Sequence, residues 1–570
     1  RRADVALSGA ESEAWARVRG GSEFADASAD CPYRIGGYCF VERAAQRARA
    51  ATIVVTTHAA LARHLTRRET LPDASCVIVL DGRQIEDELR RQQTFTLDAA
   101  AVLALLDALA MTSQPGDMRG GLLPLAASLA PETEPQRVSD WYRAVERAHE
   151  ATFTLFGALR GVMQESQERN TRGASRRGDL FDNGSLRIDN AVRSSRAWEL
   201  LLRAWARFSD DLGAVADAAR EAAQSLASTG DTGDALASRA SGARADLLGL
   251  AWRIGELTVR GSEMFVGQRI ENTVCWLRAP QTQQFQQGDA PRERRPAVRN
   301  GDAAGATRAT EDGAGDETGE PELPAEERDE HEQRDARDSL IAEAPTFYGA
   351  PTQVGAQLAP LWAEGRGMAA LGWALSVGGD FEYTRSALGL PETTRAIAAT
   401  PDYSGQTLLC LPTDAPEPAA QSYHAQFETL IVALARALEG DVVAIFPSHA
   451  ALRTAAMGIR RTLERYDILA LAQGIDGSAR QLWQSFYGQP RTVLLGAGTF
   501  WDGAQQRNRP PACIVVARTP FPPQSDPLVA ARADLWADQQ AQFMTPQAAL
   551  KLRQAPIRKL IDAFAAAVGP

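Results

Sequence analysis

Short, uninterrupted apolar runs rich in β-branched residues stand near both ends of this 570-residue chain, with a long Ala-, Leu-, Arg- and Glu-rich block between them. Near the start are Thr52-Ile-Val-Val-Thr-Thr57 and Cys76-Val-Ile-Val-Leu80, with a helical-looking piece from His58 to Arg68 between. The last third holds Gln406 to Leu411, Asp441 to Phe446, Thr492 to Gly496 and Ala512 to Ala517. Helical stretches from Phe427 to Glu439 and from Ala450 to Arg465 separate them. A run that is apolar at successive residues suits a strand buried on both faces, as in a parallel sheet whose crossovers are helices. The pattern therefore predicts two parallel α/β sheet domains.

From about Thr96 to Arg269 the apolar positions recur every three or four residues, as in Trp198-Glu-Leu-Leu-Leu-Arg-Ala-Trp-Ala-Arg-Phe208. This predicts long amphipathic helices packed on one another. Gln281 to about Asp338 has almost no large apolar residues and cannot bury enough surface to offset its ordering entropy, so disorder is expected there. Glu311 to Asp338 holds thirteen acids against three Arg, a net of −10 out of −11 for the whole chain. The rest is near neutral, and local basic faces for a polyanion are compatible with it.

Composition excludes several classes. The longest apolar stretch, Ala99 to Met111, is short of the roughly 18 residues of a spanning helix and carries Asp107. A membrane partner is not expected, and no secretory leader is visible. The chain does not begin with Met, so its natural start is expected upstream. Of the 61 basic residues only Lys551 and Lys559 are Lys, and neither follows the glycines of a GxxxxGK[ST] phosphate loop. Six scattered Cys in 570 residues suit a reducing, cytoplasmic setting.

Three segments carry chemistry. In Phe446-Pro-Ser-His-Ala-Ala-Leu-Arg453 a strand end meets a helix start, with Ser448 as N-cap. Ser448, His449 and Arg453 suit a nucleic-acid phosphate, or simply a capped helix with exposed polar residues. In Leu494-Leu-Gly-Ala-Gly-Thr-Phe-Trp-Asp-Gly503, glycines after a buried strand admit close approach of a ligand. Phe500 and Trp501 fit base stacking or ordinary packing. Cys31-Pro-Tyr-Arg-Ile-Gly-Gly-Tyr-Cys39 brings two thiols near each other, half of a four-ligand metal or cluster site.

Together, in this order, the segments resemble the DinG/XPD-like branch of superfamily 2 DNA helicases. The resemblance is carried by Cys31-Pro-Tyr with Tyr38-Cys39, by Ile53-Val-Val-Thr-Thr-His-Ala-Ala-Leu61 and by Val77-Ile-Val-Leu-Asp-Gly-Arg-Gln-Ile-Glu-Asp87. Farther on it is carried by Leu375 to Tyr383, the Ser448 segment, Leu494 to Gly503, and Thr519-Pro-Phe-Pro-Pro to Asp526-Pro-Leu-Val-Ala-Ala-Arg532.

It implies two RecA-like parallel-sheet domains with an inserted all-helical Arch-like domain. Residues 1–95 would be part of the first RecA-like domain with a remnant cysteine module, 96–280 the Arch-like domain and 281–339 an acidic disordered insertion. Residues 340–400 would complete the first RecA-like domain, and 401–570 would form the second. The resemblance further implies ATP and Mg2+, single-stranded or forked DNA as partner, and a [4Fe–4S] cluster of which Cys31 and Cys39 are the remaining ligands. It places Asp81 and Arg558 in catalysis, with Gln554, Asp502 and Gly503 beside them at ATP. His58, Ser448, His449, Arg453, Thr499, Phe500 and Trp501 would meet nucleic acid.

Departures from the family pattern cluster on phosphate chemistry. The position of the metal-binding Asp is Leu80, which has no oxygen to offer, and Asp81 stands where the water-activating Glu would be. The hydroxyl-bearing coupling motif falls on Leu371-Gly-Trp-Ala374, and the second finger Arg on Ile561. Two readings follow. One is an ATP-dependent DNA helicase. The other is a catalytically inactive relative that keeps the scaffold for DNA or protein binding.

Overall fold

The computed structural model describes residues 37–67, 71–114, 117–118, 120–171, 184–227, 234–267, 272–280, 337–362, 367–372, 374–398, 408–417, 420, 422–501 and 511–554. The expected acidic disorder of 281–336 lies outside them, as do Cys31, Asp502, Gly503 and Arg558.

The first described stretch holds α1 (Phe40–Ala50), α2 (His58–Arg67), β1 (Cys76–Leu80) and α3 (Gln84–Gln93). The strand expected at 52–57 is absent: those residues are irregular and exposed, Val55 to 93%. A β-branched run makes a strand only where a neighbouring strand takes its backbone bonds.

Next come β2 (Phe95–Leu97), α4 (Ala99–Leu109), β3 (Thr112–Gln114), β4 (Asp117–Met118), α5 (Leu122–Leu129) and α6 (Pro135–Thr171). They are followed by β5 (Ser185–Arg187), α7 (Arg196–Ala227), α8 (Asp234–Phe265), β6 (Thr273–Arg278) and β7 (Thr346–Pro351). Asp98 starts α4 by accepting from the Ala101 N–H, an N-cap bond. No described helix, α4 included, is long and apolar enough to cross a membrane.

The last third holds β8 (Gly367–Leu371), α9 (Glu382–Leu388), α10 (Ser422–Ala437), β9 (Val442–Phe446), α11 (His449–Glu464), β10 (Leu469–Ala472) and α12 (Ala479–Gly488). It ends with β11 (Thr492–Ala497), β12 (Cys513–Val516), α13 (Pro527–Ala533) and α14 (Thr545–Gln554). The strand expected at 406–411 is not formed over its described part; Leu408 and Leu411 lie exposed in irregular chain.

The chain divides into two compact units, residues 1–53 with 94–350 and residues 54–93 with 351–570. In the first, α7 packs along both α6 and α8, and its apolar stripe from Trp198 to Leu226 is buried. An all-helical domain was expected here, but this unit also holds a sheet of order β2-β7-β6-β5. Phe95, Leu97, Leu186, Leu277 and Phe347 enter the same core as the helices, so the sheet closes one side of the bundle. Leu340 and Ala344 pack there too, so residues 340–350 belong to this unit rather than to the α/β part.

The second unit holds two lobes with separate cores. In the first lobe, β1 and β8 pair in parallel, Cys76 opposite Gly367 through Leu80 opposite Leu371. One face of this pair rests on a core that includes Val79, Ile85, Leu89, Leu358 and Leu388. The other does not reach that core: Ile78, Leu80 and Leu371 are exposed, where burial on both faces was expected of β1. The second lobe is a parallel sheet of order β10-β11-β9-β12. Here both faces are covered. Val442, Ala444 and Phe446 of β9 pack toward α10 and α11, and Val443 and Ile445 pack toward α12.

Candidate nucleic-acid interface

In an open parallel sheet, ligands bind beyond the carboxyl ends of the strands. In the second lobe Ala497 of β11 lies opposite Phe446 of β9, so the turns leaving these two strands emerge side by side. The first turn leads into α11. Ser448 caps it, its Oγ accepting from the Ala451 N–H at 3.1 Å. His449 and Arg453 follow one helical turn apart, both exposed. The second turn starts at Gly498, whose φ of +56° lies in the left-handed region that favours glycine. A Cβ on Gly498 would sit 3.5 Å from His449 Nε2, so the His449 ring lies directly over this turn. Two segments about 50 residues apart in sequence thus form one polar ledge.

Phe500 is not part of that ledge. It is fully buried, stacked on Trp483 with ring centroids 5.1 Å apart and planes 17° apart. A Cβ on Gly496 would fall 2.2 Å from the Phe500 ring, so the strand is glycine there to make room for it. Base stacking needs an open ring face, and the expectation for Phe500 is corrected to packing. Thr499 and Trp501 lie in the short 3-10 turn Gly498–Trp501 beside the ledge.

The first lobe presents the other candidates. Asp81 follows β1 with φ +49°, exposed, in a turn where the Gly82 N–H donates to the Leu371 carbonyl at 2.9 Å. His58 begins α2, and its Nε2–H donates to the Leu80 carbonyl at 2.7 Å, so the two motifs meet through backbone. Leu80 itself is 63% exposed and brings only hydrocarbon to the metal position. No group of three or more His, Cys, Asp or Glu is placed to hold a metal ion among the described residues. Mg2+ needs carboxylate oxygens, and the residues here do not fit it as the pattern requires. Of the two expected cluster ligands, Cys39 is among the described residues and Cys31 is not. Cys39 is a free thiol, and an iron–sulfur site needs four ligands.

Sequence reasoning missed a polar set where α13 and α14 meet the first lobe. Glu86 of α3 is 2% exposed, and its Oε1 accepts from Arg90 at 2.5 Å and from Arg532 of α13 at 2.7 Å. Burial alone would raise its pKa, but the guanidiniums of Arg532, Arg90 and Arg83 more than offset this and hold the carboxyl below the usual glutamate range. Gln547 of α14 accepts from Arg83 and donates to the Tyr383 hydroxyl. Arg553 donates to the Ser376 carbonyl at 2.8 Å and to its Oγ at 2.6 Å. Gln554 ends α14, one residue beyond this contact. The spacing of Glu86 and Arg90 by four on one helix was a visible signal. Arg532, 446 residues from Glu86, was not.

Residues 431–558 match the family described as the helicase C-terminal domain. The chain is 28% identical over 194 residues to the ATP-dependent DNA helicase YoaA of Escherichia coli, covering 33% of this chain and 30% of that protein. It is 27% identical over 227 residues to the 3'-5' exonuclease DinG of Bacillus subtilis, covering 37% and 24%. The ATP-dependent helicase DinG of Mycobacterium tuberculosis is 29% identical over 163 residues, covering 28% and 24%. The matched stretches thus span no more than about a third of these relatives.

Proposed function

We propose that this chain, a relative of the DinG-like superfamily 2 helicases, engages single-stranded DNA through the second lobe, as the strand-holding half of a helicase-type unit. The observation that carries the reading is the ledge: His449 lying over the Gly498 turn, with Arg453 one helical turn on, at the carboxyl ends of β9 and β11. Exposed amides and the cationic side chain suit a phosphate, and the glycine turn leaves room for the backbone that carries it. The helicase relatives support DNA as the polyanion, and single-stranded or forked DNA is the form such a ledge can follow. His58 belongs to the same reading as a first-lobe contact. Coupled translocation and unwinding in DNA repair, in a soluble cytoplasmic protein, is the larger role in which this ledge would work. The helical unit with its added sheet would occupy the place of the Arch.

The test is fluorescence anisotropy with a labelled single-stranded oligonucleotide across a salt series. Arg453→Ala is expected to weaken binding and to lower the slope of log affinity against log salt by about 0.7, one phosphate contact. His449→Ala should weaken binding too, because it removes the ring that lies over the Gly498 turn. Binding that ignores both substitutions and salt overturns the proposal.

A further inference from the structure

We propose that Glu86 and Arg532 form an interlobe clasp, an ionic catch that seats the α13–α14 segment on the first lobe. The inference rests on contacts within the second unit and is independent of the DNA reading. Arg532 lies between two groups: its guanidinium bonds the Glu86 carboxylate at 2.7 Å and sits 5.3 Å over the Phe543 ring. Phe543 in turn packs with Tyr383 of α9, their centroids 6.5 Å apart, and Trp536 stacks on the same Tyr at 5.8 Å. Gln547 and Arg553 add two further ties, to Arg83 with Tyr383 and to Ser376. These first-lobe partners belong to α3, to Arg83 directly before it, or to the stretch from Ser376 to Tyr383, and the second-lobe partners to the chain from Arg532 to Arg553.

The blander reading is an ordinary buried ion pair within one core. Against it, the two lobes have separate cores, and the pair joins them rather than lying inside either. Leu552 of α14 packs in the second lobe's core beside Trp483 and Phe500, so the segment that holds the catch is anchored to that lobe at its far end. The π-helical turn Gln540–Met544 begins eight residues after Arg532, and such turns are frequent at functional sites. Here the turn brings Phe543 and Met544 into the cluster that receives Tyr383.

Both guanidiniums bond the same oxygen of Glu86, and Oε2 takes no hydrogen bond. The contact is therefore a shared point and not a bidentate fork, which is the stronger and more rigid form. Opening the lobes removes Arg532 and leaves Glu86 with Arg90 and Arg83. Closing adds a third guanidinium to the buried carboxylate and further favours its charged form.

The experiment is amide hydrogen exchange on the nucleotide-free 570-residue chain, comparing the wild type with Glu86→Gln, Arg532→Gln and the double variant. Each single change is expected to speed exchange in α13 and α14 by about tenfold or more while β9 and β11 stay at wild-type protection. The double variant should recover most of the lost protection, because it strands neither Glu86 nor Arg532, and Arg90 keeps Asp87 and the Pro351 carbonyl. Single variants that leave α13 and α14 at wild-type protection overturn the proposal. So does exchange that rises equally in β9 and β11, since the pair would then hold the whole fold rather than the lobes. If Glu86→Gln does not fold, Arg532→Gln removes the partner from the less buried side and reads the same two outcomes.

Discussion

Glu86 keeps its charge where water barely reaches it, and this is tolerated because three guanidiniums surround it. Removing one partner of such a buried pair typically costs about 3–5 kcal/mol, whereas an exposed pair such as Arg91 with Glu88 contributes about 0–1 kcal/mol. The sign of its pH dependence follows from the direction of the shift. A carboxyl held below its unfolded value stabilises the fold above the ordinary glutamate range and loses that contribution as the pH falls through its lowered value. The gap in melting temperature between wild type and Glu86→Gln should therefore be constant through neutral pH and close only in acid. A gap that closes as the pH rises would refute the assignment of charge. Phe500 is the opposite kind of residue, all packing. Phe500→Ala is expected to cost about 3–5 kcal/mol in denaturant unfolding. Gly496→Ala, which puts a methyl into the Phe500 ring, should cost about 1–3 kcal/mol.

Elements pass such effects on only as far as their ends hold them. Asp526 caps α13, its Oδ1 accepting from the N–H groups of Leu528 and Val529 at 2.9 and 3.2 Å, with Pro527 in the first turn. The cap sets the start of the helix that carries Arg532 toward Glu86. Asp526→Ala is expected to lower stability by about 1 kcal/mol, and circular dichroism melts would measure it. The same scale shows what the amino-acid order revealed and what it hid. Helices such as α7 and α11 were legible because their apolar residues recur at helical spacing, and β9 and β11 because both faces are covered and every residue is apolar or small. The runs at 52–57 and 406–411 look much the same but do not form strands over their described residues, since a strand depends on a neighbour that the run itself does not encode. β5 was hidden inside a block whose helical periodicity dominated it, and β6 and β7 lie beyond its end, on either side of the acidic segment. In the candidate site, the Ser448 turn was legible from its cap. The burial of Phe500 depends on Trp483 and Gly496 and was not, and neither was the Glu86–Arg532 pair, which joins helices far apart in the chain.

For the molecule as a whole, holding DNA and hydrolysing ATP make different demands. A ledge of amides with one cationic side chain is enough to hold a strand. Phosphoryl transfer instead needs charge placed within ångströms of the moving group, and each lost group costs orders of magnitude in rate. The end of β1 offers Leu80 where the resemblance would put a metal-binding Asp, and next to it an exposed carboxylate, Asp81, on a left-handed turn. The adjoining end of β8 runs into Leu371-Gly-Trp-Ala374, which has no hydroxyl. The clasp adds a second consideration, because lobes already held together by Glu86 and Arg532 gain less from a nucleotide that would otherwise close them. The expected outcome is that the 570-residue chain shows no ATP hydrolysis stimulated by single-stranded DNA, at concentrations where anisotropy shows the DNA bound. Phosphate release should match that of Asp81→Ala within error, with and without the oligonucleotide. A DNA-stimulated rate that disappears in Asp81→Ala would show that this one carboxylate suffices, and the separation of strand holding from hydrolysis would have to be abandoned.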